Sequence, residues 1–147
     1  MADDHSTAGT TEAEEWRVVP SLGGRYSVSS LGRVRREADG VGTYSGRILR
    51  PGVDRHGYLR TNLRTEGTTR YQIRYVHRLV AEAFLPPVQG KAVINHIDMN
   101  KLNNRPSNLE WTTLGDNVLH AWANGSVRPC FRGGSKPGRK FRPRARG

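Results

Sequence analysis

Short apolar runs, separated by glycine or proline, fill the stretch from position 16 to position 75. The runs are rich in Val, Tyr, Ile and Leu, which is typical of antiparallel strands joined by turns. In the run that ends at Arg64, Arg60, Asn62 and Arg64 recur at every second position and therefore share one face of a strand. The pattern predicts a small antiparallel sheet with an apolar inner face and an arginine-lined outer face.

A helical periodicity begins where the strand pattern ends. Over residues 76–85 the apolar residues follow the i, i+3, i+4, i+7, i+8 spacing of an amphipathic helix. Pro86 and Pro87 come next, and proline does not continue a helix. We therefore predict a helix over 76–85.

The segment after these prolines combines both patterns. Brief apolar runs at 92–94 and 109–112 predict two strands, and the loop between them is polar and rich in asparagine. Thr113 and Asp116 form a weak capping box that opens a second helix, and the Asn-Gly pair at 124–125 is a usual helix end. The predicted order is strand, loop, strand and helix.

The two ends of the chain lack this patterning. Residues 1–15 are polar and acidic, and residues 128–147 are basic with several Gly and Pro, so both are predicted to be disordered. Leu, Ile, Val and Phe make up 30 of the 147 residues, and nearly all lie between the ends, enough for a small core. The predicted fold class is α+β, with a β-rich region at 16–75 and a compact strand–strand–helix module at 76–127.

Positive charge is concentrated after residue 15. The chain has 24 Lys and Arg against 13 Asp and Glu, and five of the acids lie in the first 15 residues. The remainder therefore carries 24 bases against 8 acids, a net charge of +16. Such a field attracts polyanions, and arginine forks onto phosphate oxygens. Nucleic acid is the expected partner, with general adhesion to acidic surfaces as the alternative.

Cysteine content and hydropathy exclude further classes of protein. Cys130 is the one cysteine, which excludes an intramolecular disulfide and a cysteine-cluster zinc site and favours a reducing compartment. No apolar run approaches about 18 residues, and the N-terminus does not resemble a secretion signal. We therefore expect a cytoplasmic protein without a membrane segment.

The most informative stretch is the asparagine-rich loop with its flanks. Asn95 and His96 close the first predicted strand, Asn108 opens the second, and Asn117 lies in the first turn of the helix. A hairpin folded onto a helix would let these four side chains converge.

Residues 77–122 resemble an HNH endonuclease of the phage and intron-homing type, which is built on a ββα-metal finger. The matching motifs are NHID at 95–98 and NNRPSNLEW at 103–111. HRLVAEAFLP at 77–86 is similar to the helix usually found before the catalytic strand. Residues 14–36 are similar to a short motif that often precedes the nuclease domain in phage-encoded members.

The resemblance implies metal-dependent hydrolysis of DNA phosphodiester bonds. His96 would be the general base and Asn108 would orient it. Asn95 and Asn117 would bind one divalent cation, Mg²⁺ or Mn²⁺, with Ni²⁺ or another transition metal as alternatives and no structural zinc. His120, three residues after Asn117, would support the site or contact a phosphate.

The sequence departs from the family at two positions. Asn95 stands where the family often has Asp, and Asn117 stands where it often has His. Two amides without a carboxylate are expected to bind metal weakly until the DNA phosphate completes the site. A single site of this kind favours cutting one strand per binding event, by a monomer or weak dimer.

Ten basic residues are predicted to contact phosphates of double-stranded DNA. Six lie on the predicted strands and four lie in the tail. They are Arg25, Arg33, Arg35, Arg36, Arg60, Arg64, Arg139, Lys140, Arg142 and Arg144.

Four other residues are interpreted as structural. His77 opens the first helix, Trp111 and Trp122 are assigned to the core, and Asp98 is expected to cap the loop by bonding its own backbone.

The sequence leaves two alternative functions open. One is a DNA-binding protein whose nuclease site has decayed, and the other is a basic RNA-binding protein. The resemblance also implies a phage or prophage gene acting in the bacterial cytoplasm.

Overall fold

The computed structural model describes residues 13–125, which form nine strands and two α-helices. Twelve residues of the acidic leader and the whole basic tail, with its four predicted DNA contacts, lie outside this range. The strands are β1 (Trp16–Val18), β2 (Tyr26–Ser29), β3 (Val34–Arg36), β4 (Ile48–Leu49), β5 (Gly52–Val53), β6 (Leu59–Arg64), β7 (Tyr71–Tyr75), β8 (Val93–His96) and β9 (Leu109–Thr112). The helices are α1 (Val76–Phe84) and α2 (Leu114–Ala123).

The strands form three antiparallel sheets. β1, β2, β3 and β4 make a four-stranded sheet in sequence order, β5, β6 and β7 make a second sheet, and β8 pairs with β9. Every pairing in these sheets joins two strands that are consecutive in the sequence. With two helices packed beside antiparallel strands, the α+β class predicted from the sequence is confirmed.

The predicted alternation of faces holds along β6. Thr61 and Leu63 are buried, whereas Arg60 and Asn62 are exposed. β6 pairs with β7 so that Asn62 lies opposite Ile73, which is also exposed. The outer face of this sheet therefore presents arginine, asparagine and isoleucine to solvent.

Helix α1 lies at the centre of the molecule. Its apolar stripe is buried, with Val76, Leu79 and Val80 nearly or wholly inaccessible to solvent. It contacts all three sheets, because it packs against β1, β2, β6, β7, β8 and β9. The helix ends at Phe84, one residue before the predicted end, just ahead of the two prolines.

Substitution of Leu79 tests how much this packing stabilises the protein. We expect Leu79→Ala to lower the free energy of unfolding by about 2–5 kcal/mol, because it leaves a cavity in a close-packed core. Urea denaturation measures the change. Arg78→Ala, an exposed change on the same helix, should cost far less, and an equal loss in both variants would contradict the central position of α1.

One apolar core crosses the division predicted at residue 75. Val28 and Leu63 from the earlier strands join Ile94 and Leu109 from the later hairpin in the same buried cluster. The two predicted domains stay a prediction, but their side chains share this core through α1.

Helix α2 begins and ends as predicted. The backbone N–H of Asp116 donates to Oγ1 of Thr113 at 3.1 Å, and the hydroxyl of Thr113 donates to the carboxylate of Asp116 at 2.8 Å. Gly125, just past the end, has a φ of +68°, which suits a glycine.

The assignment of Trp122 to the core is wrong. Its side chain lies on α2, which has no buried residue, and Trp122 is 47% exposed. The physical reason is that α2 contacts the described part of the protein mainly along β8, so one narrow face is covered. Trp111, by contrast, packs against the core. Among residues 13–125, no helix is long and apolar enough to cross a membrane.

Candidate active site

The β8–β9 hairpin presents the asparagine-rich loop. Asn95 and His96 are the last two residues of β8, and His96 lies opposite Leu109 at the first pair of β9. Both side chains are buried although both are polar. Buried polar groups require hydrogen-bond partners, so their surroundings determine what they can do.

The loop after β8 is organised by side chains that bond to backbone. Asp98 accepts the backbone N–H of Asn100 at 2.8 Å, which is the capping role predicted for it. Asn100 repeats the pattern and accepts the N–H of Leu102 at 3.1 Å. Met99 has a φ of +63° and is the one described non-glycine residue with positive φ. Its left-handed backbone marks local strain beside the site.

Asn108 braces this loop. Its Oδ1 accepts the backbone N–H of Asp98 at 3.0 Å, and its Nδ2 donates to the carboxylate of Asp98 and the carbonyl of Asn103. Its own backbone carbonyl accepts the N–H of Ile97 at 2.8 Å. The bonds formed by Asn108 thus lie within the loop, and the contact to His96 predicted for it is made by another residue.

That residue is Asn104, for which no role in the site was predicted from the sequence. Its Oδ1 lies 2.9 Å from Nε2 of His96, and the two residues are 2% and 5% exposed. Nδ2 of Asn104 points to the carbonyl of Leu102 at 3.5 Å, which leaves Oδ1 as the atom facing the imidazole. Nε2 therefore carries the proton, and Nδ1 keeps its lone pair.

Burial also keeps this imidazole neutral. Desolvation lowers the pKa of His96, and the hydrogen bond with Asn104 opposes that effect only in part. The ring of His77 packs edge-on against the ring of His96, with centroids 5.2 Å apart, and Tyr58 lies beside both. Burial likewise lowers the pKa of His77 to about 4, so neither ring carries charge near neutral pH.

A cavity of about 270 Å³ brings three of the four predicted residues together. Asn95, His96 and Asn117 all line it, so the strand–loop–strand–helix order does make these side chains converge. Nδ2 of Asn95 donates to the carboxylate of Glu110 at 2.8 Å, which leaves Oδ1 of Asn95 as an acceptor. Helix α2 contributes Asn117, Val118 and Ala121 to the lining, whereas His120 does not line the cavity.

Amide oxygens of this kind fit a hard divalent cation in chemical type. Asn95 and Asn117 would hold it, and the buried amide of Asn95 is oriented for that by Glu110. Among residues 13–125, no cluster of three or more His, Cys, Asp or Glu side chains is placed to hold a metal. Water or substrate oxygens would have to complete the coordination sphere.

Lys101 places a positive charge at this cavity. It lines the cavity, its ammonium group donates to the carbonyl of His56 at 2.9 Å, and it lies 4.5 Å from the centroid of the Tyr58 ring. Lys101 was not predicted from the sequence, because its contacts come from a turn more than 40 residues earlier in the chain.

Four of the six described arginines that were predicted to contact DNA line two separate cavities. Arg60 lines a cleft of about 940 Å³ between β4 and the second sheet, together with Arg47 and Arg50, which were not predicted. Arg25, Arg36 and Arg64 surround a smaller cavity of about 240 Å³.

Arg33 and Arg35 are instead paired with carboxylates. Arg33 pairs with Glu14, and Arg35 pairs with Glu37 at 2.7 Å. Both guanidinium groups also lie over the ring of Trp16. Their positive charge is thus partly balanced within the protein.

Comparison with known proteins agrees with this geometry. The HNH endonuclease family model matches residues 74–119, and the NUMOD4 motif model matches residues 14–64. An uncharacterised HNH endonuclease of Acanthamoeba polyphaga mimivirus is 37% identical over 118 residues, covering 80% of this chain and 32% of that protein. DNA endonuclease I-HmuI of Bacillus phage SP01 is 33% identical over 113 residues, covering 77% of this chain and 60% of that protein.

A solved structure supports the same relationship. The structure described as DNA binding and cleavage by the HNH homing endonuclease I-HmuI matches with a TM-score of 0.64 and 32% identity. The match covers 78% of this chain and 61% of that chain, so the chain spans less than two thirds of the length of these relatives.

The fold and the site therefore match the class of HNH endonucleases over residues 74–119. More particularly, the HNH endonuclease match at residues 74–119 follows the NUMOD4 motif match at residues 14–64, and the resemblance predicted from the sequence is confirmed.

Proposed function

We propose that this protein is a metal-dependent HNH endonuclease that hydrolyses phosphodiester bonds of double-stranded DNA and nicks one strand per binding event. The observation that carries the proposal is the state of His96. Its Nε2 is bound to Asn104, burial lowers its pKa, and its ring lines the cavity that Asn95 and Asn117 share. A neutral imidazole with one free nitrogen is a suitable general base.

The proposed reaction assigns each group a task. Nδ1 of His96 takes a proton from a water molecule, whose oxygen forms a bond to phosphorus while the bond from phosphorus to the 3′-oxygen breaks. The leaving 3′-oxygen takes up a proton from solvent, His96 later returns its proton to solvent, and the products are a 5′-phosphate and a 3′-hydroxyl. A divalent cation would supply charge stabilisation for the phosphate and the leaving oxygen when bound. Asn95 and Asn117 would hold that cation, and Lys101 adds positive charge at the cavity.

A supercoiled-plasmid assay at low salt tests the proposal. We expect open circles with Mg²⁺ or Mn²⁺, none with EDTA, and recovery of nicking when the metal is restored. Linear product at an equal rate would instead indicate paired cutting by two copies.

One rival is favoured by a specific observation. The described residues offer two amides and no carboxylate cluster for metal, which also fits a DNA-binding protein whose site has decayed. Tight plasmid binding without cleavage in Mg²⁺, Mn²⁺ or Ni²⁺ would establish that rival. Preference for RNA over duplex DNA in a salt-matched competition would establish an RNA-binding function.

The cleft around Arg60 is the proposed DNA-backbone surface. We expect Arg60→Ala to weaken binding and to reduce the slope of log K against log salt by about 1, because one phosphate contact is lost. Fluorescence anisotropy across a salt series measures both quantities.

Arg35→Ala is the matched control for that experiment. Because Arg35 is already paired with Glu37, its removal should change the salt slope less. Equal effects of the two substitutions would show that net charge, and not the cleft, governs DNA affinity.

A further inference from the structure

The turn between β2 and β3 touches the loop that orients His96. Gly32, in this turn, has a φ of +80° and lies against Asn104. A Cβ atom added at Gly32 would lie 3.1 Å from Cβ of Asn104 and 3.3 Å from its carbonyl oxygen, which is closer than ordinary contact. Glycine is thus needed here both for its backbone conformation and for this close approach.

The turn itself is firmly held. The N–H of Gly32 donates to the carbonyl of Ser29 at 2.9 Å, and the N–H of Ser29 donates to the carbonyl of Arg33 at the same distance. Oγ of Ser29, which is fully buried, accepts the N–H groups of Leu31 and Arg33. The surface that meets Asn104 therefore belongs to a rigid part of the four-stranded sheet.

On its other side, Asn104 has one short side-chain contact. Its Oδ1 lies 2.9 Å from Nε2 of His96, while its Nδ2 reaches the carbonyl of Leu102 only at 3.5 Å. Hydrogen bonds weaken steeply as distance and angle depart from their preferred values. A shift of a few tenths of an ångström in Asn104, such as a methyl group at position 32 would impose, would therefore disturb the contact that fixes the tautomer of His96.

A second turn of the earlier sheets holds the same loop at another point. Lys101 bonds to the carbonyl of His56 and lies over Tyr58, and its Cδ lies 3.7 Å from the position of a Cβ on Gly57. The loop between β8 and β9 is thus supported from two turns that precede α1. The side-chain bonds of Asp98 and Asn100 to the backbone, and the left-handed backbone of Met99, are therefore not the only features that fix the position of the loop.

We propose that the β2–β3 turn is a positioning element of the nuclease site, in which the close approach of Gly32 holds Asn104 against Nε2 of His96. The inference rests on the proposed function of His96 and goes beyond it. The turn belongs to the segment that matches the NUMOD4 model. That segment would therefore help to align the general base, in addition to any contact that it makes with DNA.

Gly32→Ala in the full chain is the test, with Gly24→Ala as its matched control. Gly24 has a φ of +74° and lies in the same part of the chain, but no atom lies within 4 Å of a Cβ added there. Both substitutions place an alanine at a positive φ, and only the first pushes on Asn104. We expect the single-turnover cleavage rate to fall about 10- to 100-fold in Gly32→Ala. DNA affinity should be unchanged, and Gly24→Ala should cleave like wild type.

A double variant identifies the route of the effect. Because Asn104→Leu removes the amide, Gly32→Ala should add no further loss in that background. If the double variant loses the product of the two single fold-losses in cleavage rate, Gly32 acts through a residue other than Asn104 and the proposal is overturned.

A long-range ¹H–¹⁵N spectrum of the imidazole gives a readout that does not require cleavage. Wild type and Gly24→Ala should show His96 protonated at Nε2, and Gly32→Ala should show a mixture of tautomers. A changed tautomer in a protein that never cuts DNA would support the positioning role and contradict the nuclease function. An unchanged tautomer of His96 in Gly32→Ala would overturn the positioning role of the turn and would leave the proposed nuclease function untouched.

Ser29→Ala serves if Gly32→Ala does not fold, since it loosens the same turn without adding a Cβ. The rate and the tautomer should then change in the same direction. If Ser29→Ala is less stable than wild type but keeps the wild-type cleavage rate and the wild-type tautomer of His96, the proposal is overturned.

Discussion

His96→Ala should reduce the rate of DNA cleavage by about 10²- to 10⁴-fold, which is the usual contribution of a positioned general base. The substitution removes the imidazole that lines the cavity beside Asn95 and Asn117. Single-turnover nicking of a plasmid measures the loss. DNA affinity should be retained, because the arginine-lined cleft around Arg60 lies on other elements, β4 to β7.

His120→Ala is the matched control for this substitution. His120 lies on α2 near Asn117, but it does not line the cavity, so its removal should leave the cleavage rate close to that of wild type. Thermal unfolding of both variants separates loss of chemistry from loss of fold, since His96 is buried. Added imidazole should restore part of the activity of His96→Ala, because the space left beside the cavity can admit it.

Wild-type cleavage by His96→Ala would mean that another group takes the proton. His77 is the nearest histidine, but its Nδ1 is buried and has no hydrogen-bond partner among the described residues. Its ring packs against His96 and Tyr58, which agrees with the structural role predicted for it.

Local patterns were sufficient to predict the elements that carry the site. The strand at 109–112 has the predicted bounds, the first helix lies where its apolar periodicity placed it, and the second lies where its capping signals placed it. These elements follow from side-chain alternation, a capping threonine and a pair of prolines, all of which act within a few residues. The convergence of Asn95, His96 and Asn117 then follows from the order of the elements.

Contacts between distant segments were not predictable in the same way. The loop offers asparagines at 100, 103, 104 and 108, and the sequence does not tell which one reaches the imidazole. That depends on how the loop closes, which Asn108 determines by bonding Asp98 and leaving Asn104 to face His96. The position of Lys101 near Tyr58 likewise depends on packing between separate sheets.

Asn104→Leu should lower the cleavage rate about 100-fold while leaving DNA binding intact. The change keeps a side chain of similar shape but removes the oxygen that accepts the proton on Nε2. A buried N–H without an acceptor is costly, so the proton is expected to move to Nδ1, the nitrogen that must take a proton from water. In catalytic triads, the wrong histidine tautomer costs up to about 10⁴-fold. A smaller loss is expected here, because the ring is still held by Tyr58 and His77.

Asn103→Leu is the control that makes this prediction specific to position 104. Asn103 precedes it in the same loop, but its side chain donates to Asp98 and does not reach His96. It should lose stability through the loop and retain a rate close to wild type when measured well below its unfolding temperature. If Asn103→Leu and Asn104→Leu lose cleavage equally, then general order in the loop, and not the bond to Nε2, sets the rate. If Asn108→Leu alone abolishes cleavage in the folded protein, the orienting role belongs to Asn108, as the family resemblance implied.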